Sequence, residues 1–228
     1  MPSTQAAVIK SAAALPALAL SGPRFIVSLD ATLSRSNTWR EAQAIQGELF
    51  KLMASARQPL SIRLTHFGGG KFDTLDWTDR PGELQAYMAA VRCRIGGTQI
   101  ADVLEDAFSQ AIRGPVSGVI YTGDACEEKA DRLRGLAMQL RCIDVPVFMF
   151  QETAPIGVRK AAKAFQEIAT ITGGAYACFE PGAFRDLAGL FKVAMAARSR
   201  SAAALAKVRA DPSLSAPAKR MLADLSGR

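Results

Sequence analysis

The feature that most constrains this chain is the alternation of short apolar runs with longer segments of helical spacing. The runs are short enough to be strands, and they are apolar enough to be buried on both faces. They lie at residues 25–29, 60–65, 116–121, 145–150 and 173–179, with helical segments between them at 39–56, 82–92, 99–112, 129–141 and 158–169 and a last one at 181–197. Strands that alternate with helices of this length predict a mainly parallel sheet covered on both faces.

This pattern predicts a doubly wound α/β fold with a six-stranded sheet. The sixth strand is a short antiparallel edge strand near residues 71–77, after the Gly68-Gly69-Gly70 turn. We expect residues 1–22 to be an N-terminal extension and residues 23–198 to form the domain. Residues 199–228 are predicted to be a basic, helical C-terminal tail whose removal leaves the site intact.

The net charge of +7 raises the question of a nucleic-acid partner, and the distribution of charge argues against one. Residues 199–228 hold six basic and two acidic side chains, a net of +4, and Lys10 adds one more. The remaining 21 basic and 19 acidic residues nearly balance across residues 23–198. A solvated terminal helix explains the basic tail, so nucleic acid is not the expected partner.

The cysteines and the N-terminal segment indicate the cellular compartment of the protein. Cys93, Cys126, Cys142 and Cys178 are widely spaced and fit neither a zinc pattern nor a disulfide-dense secreted domain. The apolar segment 11–20 is about half the roughly 20 residues that a membrane span needs. We therefore expect a cytoplasmic protein without a membrane span. A weak signal peptide cleaved near Ala19 is the alternative.

Oxygen-bearing side chains follow the predicted strands where a parallel sheet gathers its ligand-binding loops. Asp30, Thr32 and Ser34 come directly after the first strand, Thr98 opens a helix after Gly96-Gly97, and Asp124 follows the run at 116–121. Carboxylate and hydroxyl oxygens suit Mg²⁺, Mn²⁺ or Ca²⁺ and suit zinc or copper poorly. These five side chains are therefore the candidate metal ligands.

The series Asp30-x-Thr32-x-Ser34, with Thr98 and Asp124 downstream, resembles the metal-ion-dependent adhesion site of the von Willebrand factor type A (VWA) family, in its bacterial single-domain form. The resemblance covers residues 23–198. It implies a non-enzymatic module whose Mg²⁺ captures a glutamate or aspartate of a protein partner. Analogy with bacterial members suggests an ATPase or chaperone-like machine as that partner.

Two positions depart from the family pattern. Thr32 replaces the usual serine but keeps its oxygen. Gly123 separates Thr122 from Asp124, which are adjacent to one another in the family. Whether Asp124 contacts the metal directly, through water or not at all stays open.

Two other functions remain as alternatives. A phosphoryl-transfer enzyme could use Asp30 as its nucleophile, but such enzymes need a second aspartate where this chain has Thr32. A structural VWA-like domain with an empty site is the other alternative. His66, the only histidine, is expected to be structural. Glu127 and Glu128 either support the metal ligands from behind or are favourable charges on the first turn of the helix that follows them, and the second interpretation is favoured.

Overall fold

The centre of the molecule is a six-stranded sheet. The computed structural model describes residues 22–36, 59–153, 158–180, 183–198 and 202–226. Its strands, in sheet order β3-β2-β1-β4-β5-β6, are β1 (Arg24–Asp30), β2 (Ser61–Gly68), β3 (Lys71–Thr78), β4 (Gly118–Gly123), β5 (Val147–Glu152) and β6 (Tyr176–Phe179). All neighbouring pairs are parallel except β2 and β3. The prediction of a mainly parallel sheet is confirmed.

The antiparallel edge strand is also confirmed. β2 turns into β3 at Gly69 and Gly70, which have φ of 65° and 68°, values that glycine adopts without strain. Phe67 then pairs with Phe72 and Ile62 with Thr78. The glycine run forms a hairpin turn, as its sequence predicts.

Seven α-helices and one short 3-10 helix, Leu33–Arg35, lie in the part of the chain that the structure describes. The α-helices are α1 (Pro81–Ala90), α2 (Ile100–Arg113), α3 (Ala130–Cys142), α4 (Val158–Thr172), α5 (Phe184–Arg198), α6 (Ala202–Arg209) and α7 (Ala216–Ser226). The helix predicted at residues 39–56 and most of the N-terminal extension lie outside the described residues.

The strands bury both faces because successive side chains point to opposite sides of a sheet. In β1, Val27 and Leu29 join one hydrophobic cluster with side chains of α1, α5 and α7. Ile26 joins the other cluster, with side chains of α2, α3 and α4. The result is the doubly wound, three-layer arrangement that the alternation of elements predicts.

The predicted tail contains the two helices α6 and α7, and α7 packs on the sheet. Ala218, Met221 and Leu222 are buried in the same cluster as β6 and α5, together with Leu214 from the preceding loop. Residues beyond Arg198 therefore contribute to the core of the domain. No helix among the described residues combines the length and the apolar character that a membrane crossing requires.

Candidate functional site

The carboxyl ends of β1 and β4 meet at the point where the winding of the sheet reverses. The chain proceeds from β1 to β2 on one side and returns to β4 on the other. Leu29 pairs with Thr122, so Asp30 and Asp124 both leave the sheet at this edge. Open α/β sheets bind their ligands in the crevice formed at such a reversal.

The first loop connects three of the predicted ligands. Asp30 is fully buried, and its Oδ1 accepts a hydrogen bond of 2.8 Å from the backbone N–H of Thr32. The Thr32 and Ser34 hydroxyls lie 3.0 Å apart, within hydrogen-bonding distance. Asp30 Oδ2 is buried and has no hydrogen-bond partner in the described part of the chain. The loop therefore holds one carboxylate oxygen in place and leaves the other unpaired.

The charge on Asp30 is costly in this environment. Burial raises the pKa of its carboxyl to about 6, and the neighbouring charge of Asp124 adds to the rise. The hydrogen bonds from Thr32 and the positive charge of Arg35 oppose it. Burial therefore disfavours the ionised form of Asp30, and the hydrogen bonds from Thr32 and the charge of Arg35 offset this effect only in part.

Asp124 is the first residue after β4, and it is 8% exposed. Its backbone oxygen accepts a hydrogen bond of 3.5 Å from the side-chain amide of Gln151. Its Oδ1 is buried and, within the described residues, lacks a hydrogen-bond partner, as does the hydroxyl of the neighbouring Thr122. Asp30 and Asp124 thus each carry one unpaired, buried carboxylate oxygen.

Packing explains the glycine that separates Thr122 from Asp124. Tyr121 is buried on the same side of β4, and a Cβ atom added to Gly123 would lie 2.5 Å from the Tyr121 hydroxyl oxygen. That distance is too short for any side chain to be accepted without displacement. A residue with a Cβ at position 123 would therefore require Tyr121 to move.

Thr98 is tied to the loop that carries Asp124. Its N–H donates to a Glu127 carboxylate oxygen at 2.7 Å, and its hydroxyl accepts the Glu127 N–H at 3.2 Å. Among the described residues, no hydrogen bond joins Thr98 to Asp30, Thr32 or Ser34. Thr98 is 8% exposed, and its two hydrogen bonds with Glu127 connect it to the loop that follows β4.

Glu127 and Glu128 act on a different helix from the one expected. α3 begins only at Ala130; Glu128 instead caps the start of α2, and Glu127 binds Thr98 just before that helix. Glu128 accepts hydrogen bonds from Ile100 N–H at 2.5 Å and Ala101 N–H at 2.9 Å. The first amides of a helix have no partner within it, and a carboxylate is well suited to bind them. The expectation of helix-end charges was right in kind but wrong about the helix.

A buried ion pair next to the site was missed by the sequence analysis. Arg35, 3% exposed, forms an ion pair with Glu152 at the end of β5. Burial lowers the pKa of Arg35, whereas the negative charges of Asp30 and Asp124 raise it. Since charged residues after a strand are usually solvated, sequence alone gave no sign that this arginine is buried.

His66 and Cys126 also lie close to this edge, His66 beside Leu29 in the sheet and Cys126 two residues after Asp124. His66 Nδ1 is 3.0 Å from the Tyr87 hydroxyl, and its Nε2 is 3.5 Å from Asp73. Cys126 is buried, and burial raises the pKa of its thiol, which disfavours the reactive thiolate. Among the described residues, no three His, Cys, Asp or Glu side chains are grouped as a metal site.

Comparison with known proteins supports the fold. No protein-family profile matches the chain, and no curated protein sequence matches it. Solved structures do match. The SpRpn10 VWA domain is 12% identical with a TM-score of 0.55, over 70% of this chain and 89% of that one. A von Willebrand factor type A protein from Catenulispora acidiphila is 13% identical with a TM-score of 0.57, over 77% and 43%.

BatB, a conserved hypothetical protein from Bacteroides thetaiotaomicron, is 16% identical with a TM-score of 0.53, and the match spans 70% of this chain and 91% of that one. At such low identity these similarities concern the fold alone. They show that this chain has the fold of VWA domains. The predicted resemblance is thus confirmed at the level of architecture.

Proposed function

We propose that this protein is a divalent-metal-dependent protein-binding module. Asp30, Thr32, Ser34, Thr98 and Asp124 would hold Mg²⁺, or Mn²⁺ or Ca²⁺, at the carboxyl edge of the sheet. The observation that carries the proposal is the pair of buried, unpaired carboxylate oxygens, Asp30 Oδ2 and Asp124 Oδ1. Buried charges without partners are costly, so their presence favours a bound cation.

The balance of buried charge supports a divalent ion. Asp30, Asp124 and Glu152 contribute three negative charges, and Arg35 contributes one positive charge, which leaves a net charge of −2. One divalent cation would neutralise it. The donors are all oxygens, which suits a hard cation. Two of the five donors are carboxylates and three are hydroxyls, so the set does not form a group of three carboxylate, thiol or imidazole side chains among the described residues.

The ion, when bound, would supply a position that accepts a carboxylate oxygen of a protein partner. The chain's own residues would orient it. Thr32 N–H fixes one oxygen of Asp30, and the hydroxyl pair places Thr32 and Ser34 side by side. Ser34 is exposed, which leaves the outer side of the loop open to a partner. The proposal involves no catalytic step.

A second candidate is an interaction domain that needs no metal, and the buried guanidinium of Arg35 favours it. Arg35 already provides a positive charge that acts on Asp30 and Asp124. In that case, one of the two carboxylates would remain uncompensated or protonated. The two candidates differ in whether metal stabilises the fold.

Thermal unfolding in EDTA, Mg²⁺ and Mn²⁺ separates them. An ion that binds only the folded state raises the melting temperature by mass action. We expect a rise for the wild type and for Thr32→Ser, which keeps the oxygen, and none for a folded Asp30→Ala. Asp79→Ala, at an exposed aspartate in the loop before α1, is the matched control and should behave as the wild type. A wild type that does not respond to millimolar metal favours the second candidate.

A further inference from the structure

Two exposed aliphatic side chains border the candidate site. Leu33 is 49% exposed and Ile95 is 80% exposed. Within the described residues only Ile112 and Met138 are comparable exposed large hydrophobic side chains. Leu33 lies between the predicted ligands Thr32 and Ser34, and Ile95 lies three residues before Thr98. Exposed apolar side chains concentrated beside a polar site indicate a binding surface.

The backbone brings the segments that carry these two side chains together. Thr32 and Arg94 form a parallel β-bridge, and Arg94 N–H donates to the Ala31 carbonyl oxygen at 3.0 Å. Leu33 and Ile95 each follow a member of this bridged pair. The pairing fixes the loop after β1 beside the segment that leads to Thr98.

The loop that carries Ile95 packs closely against the turn between β2 and β3. A Cβ atom added to Gly96 would lie 2.7 Å from the backbone nitrogen of Gly69. The segment therefore rests directly on the turn between β2 and β3, at a distance that only glycine permits. This close backbone contact holds Ile95 at the surface. Exposure of its apolar side chain to water is unfavourable, and burial against a partner would remove that cost.

The charges around Ile95 favour an acidic partner. Arg92, Arg94 and Lys71 are exposed on this rim, and Asp73 is the acidic residue paired with Arg94, at 3.2 Å. Glu127, whose carboxylate lies beside Gly97 and Thr98, adds a second negative charge, so three positive charges against two negative leave a net charge of +1. Such a rim attracts acidic segments and speeds their approach.

We propose that this protein recognises its partner at two points, through an acidic segment of the partner. In that segment a leucine, isoleucine or valine lies within two residues of the captured glutamate or aspartate. The aliphatic side chain would pack against Leu33 and Ile95, which together we call the aliphatic rim. Because Leu33 adjoins Thr32 in the chain, and consecutive Cα atoms are about 3.8 Å apart, one or two residues of the partner span the distance. This inference rests on the proposed function.

The test uses immobilised nonapeptides with a central Glu in a Gly-Ser background, probed with the full chain in Mg²⁺ and in EDTA. One series places Leu at each of the four positions within two residues of the Glu, and a parallel series replaces Glu with Gln. We expect the best Leu-containing Glu peptide to bind about tenfold more tightly than the Ser version, equivalent to about 1.4 kcal/mol. We expect EDTA or Gln to abolish binding.

The double variant L33S/I95S should lose this tenfold preference while retaining the metal-induced rise in melting temperature. I112S/M138S removes the other two exposed side chains and is the matched control, which should keep the preference. Mg²⁺-dependent capture of Glu peptides without any preference for Leu would overturn the aliphatic rim and leave the proposed function standing. Leu-dependent binding that ignores Glu and EDTA, or no binding by any peptide, would overturn both.

Discussion

Replacing Asp30 with asparagine should stabilise the metal-free protein at neutral and alkaline pH. Asparagine keeps an oxygen that can accept the Thr32 N–H bond, and it removes a charge that burial disfavours. The pKa of Asp30 rises from 3.8 in the unfolded chain to about 6 in the folded one. A difference of about 2 pKa units corresponds to about 3 kcal/mol.

The sign follows from proton linkage. Between pH 3.8 and 6 the folded state holds the Asp30 proton more strongly than the unfolded state does, so stability falls as the pH rises through this window. Above pH 6 the full cost of about 3 kcal/mol applies to the wild type and is absent from Asp30→Asn. Near pH 4 the two proteins should differ by less than about 1 kcal/mol.

Urea unfolding in EDTA at pH 8 and pH 4 measures this difference, with the exposed Asp79→Asn as the control that should change little at either pH. In Mg²⁺ the order should reverse if Asp30 binds the ion, because the wild type then gains stability that the variant cannot. An Asp30→Asn protein that is less stable than the wild type at pH 8 in EDTA would refute the argument from burial, since its charge would then be stabilising.

Three further predictions concern packing and can be checked by urea or thermal unfolding. Gly123→Ala should cost about 1–3 kcal/mol, because its Cβ would overlap the Tyr121 hydroxyl, and Tyr121→Phe in the same chain should recover part of the loss. A full loss that persists in the double variant would show that the Tyr121 hydroxyl is not the obstacle. Met221→Ala should cost about 2–5 kcal/mol, as expected for a buried methionine in the core, whereas a negligible loss would mean that α7 is not packed on the sheet. Arg63→Lys should cost about 2 kcal/mol, because lysine cannot reproduce the two hydrogen bonds of 2.9 Å from Nε and Nη2 to Asp106, and an unchanged midpoint would contradict this.

Much of the fold could be predicted because hydrophobic periodicity is local. The apolar runs at 25–29 and 116–121 correspond to β1 and β4 within a few residues, and the glycine turn correctly predicted the position of β3. The positions of Asp30 and Asp124 at one edge follow from the same pattern, because parallel strands end together. Helix α7 was harder to place, since two prolines interrupt its region and its apolar face is short.

The missed features depend on contacts between residues that are distant in sequence. Arg35 is buried in an ion pair with Glu152, a residue more than a hundred positions later in the chain. Glu128 caps α2 from a loop 28 residues downstream of the helix start. Gly123 lies so close to Tyr121 that a Cβ atom there would overlap its hydroxyl. None of these pairings leaves a periodic signal, and each requires the folded geometry to be recognised.

The capping of α2 by Glu128 gives the site an internal reporter. The amide hydrogens of Ile100 and Ala101 are bonded to a side chain of the loop that carries Asp124, and not to a carbonyl of their own helix. Exchange of these two amides with deuterated solvent therefore reports whether that loop is docked, independently of whether α2 itself has unfolded. A partner or ion that tightens the loop should slow the exchange of these amides selectively, which makes occupancy of the site measurable residue by residue without labelling any ligand.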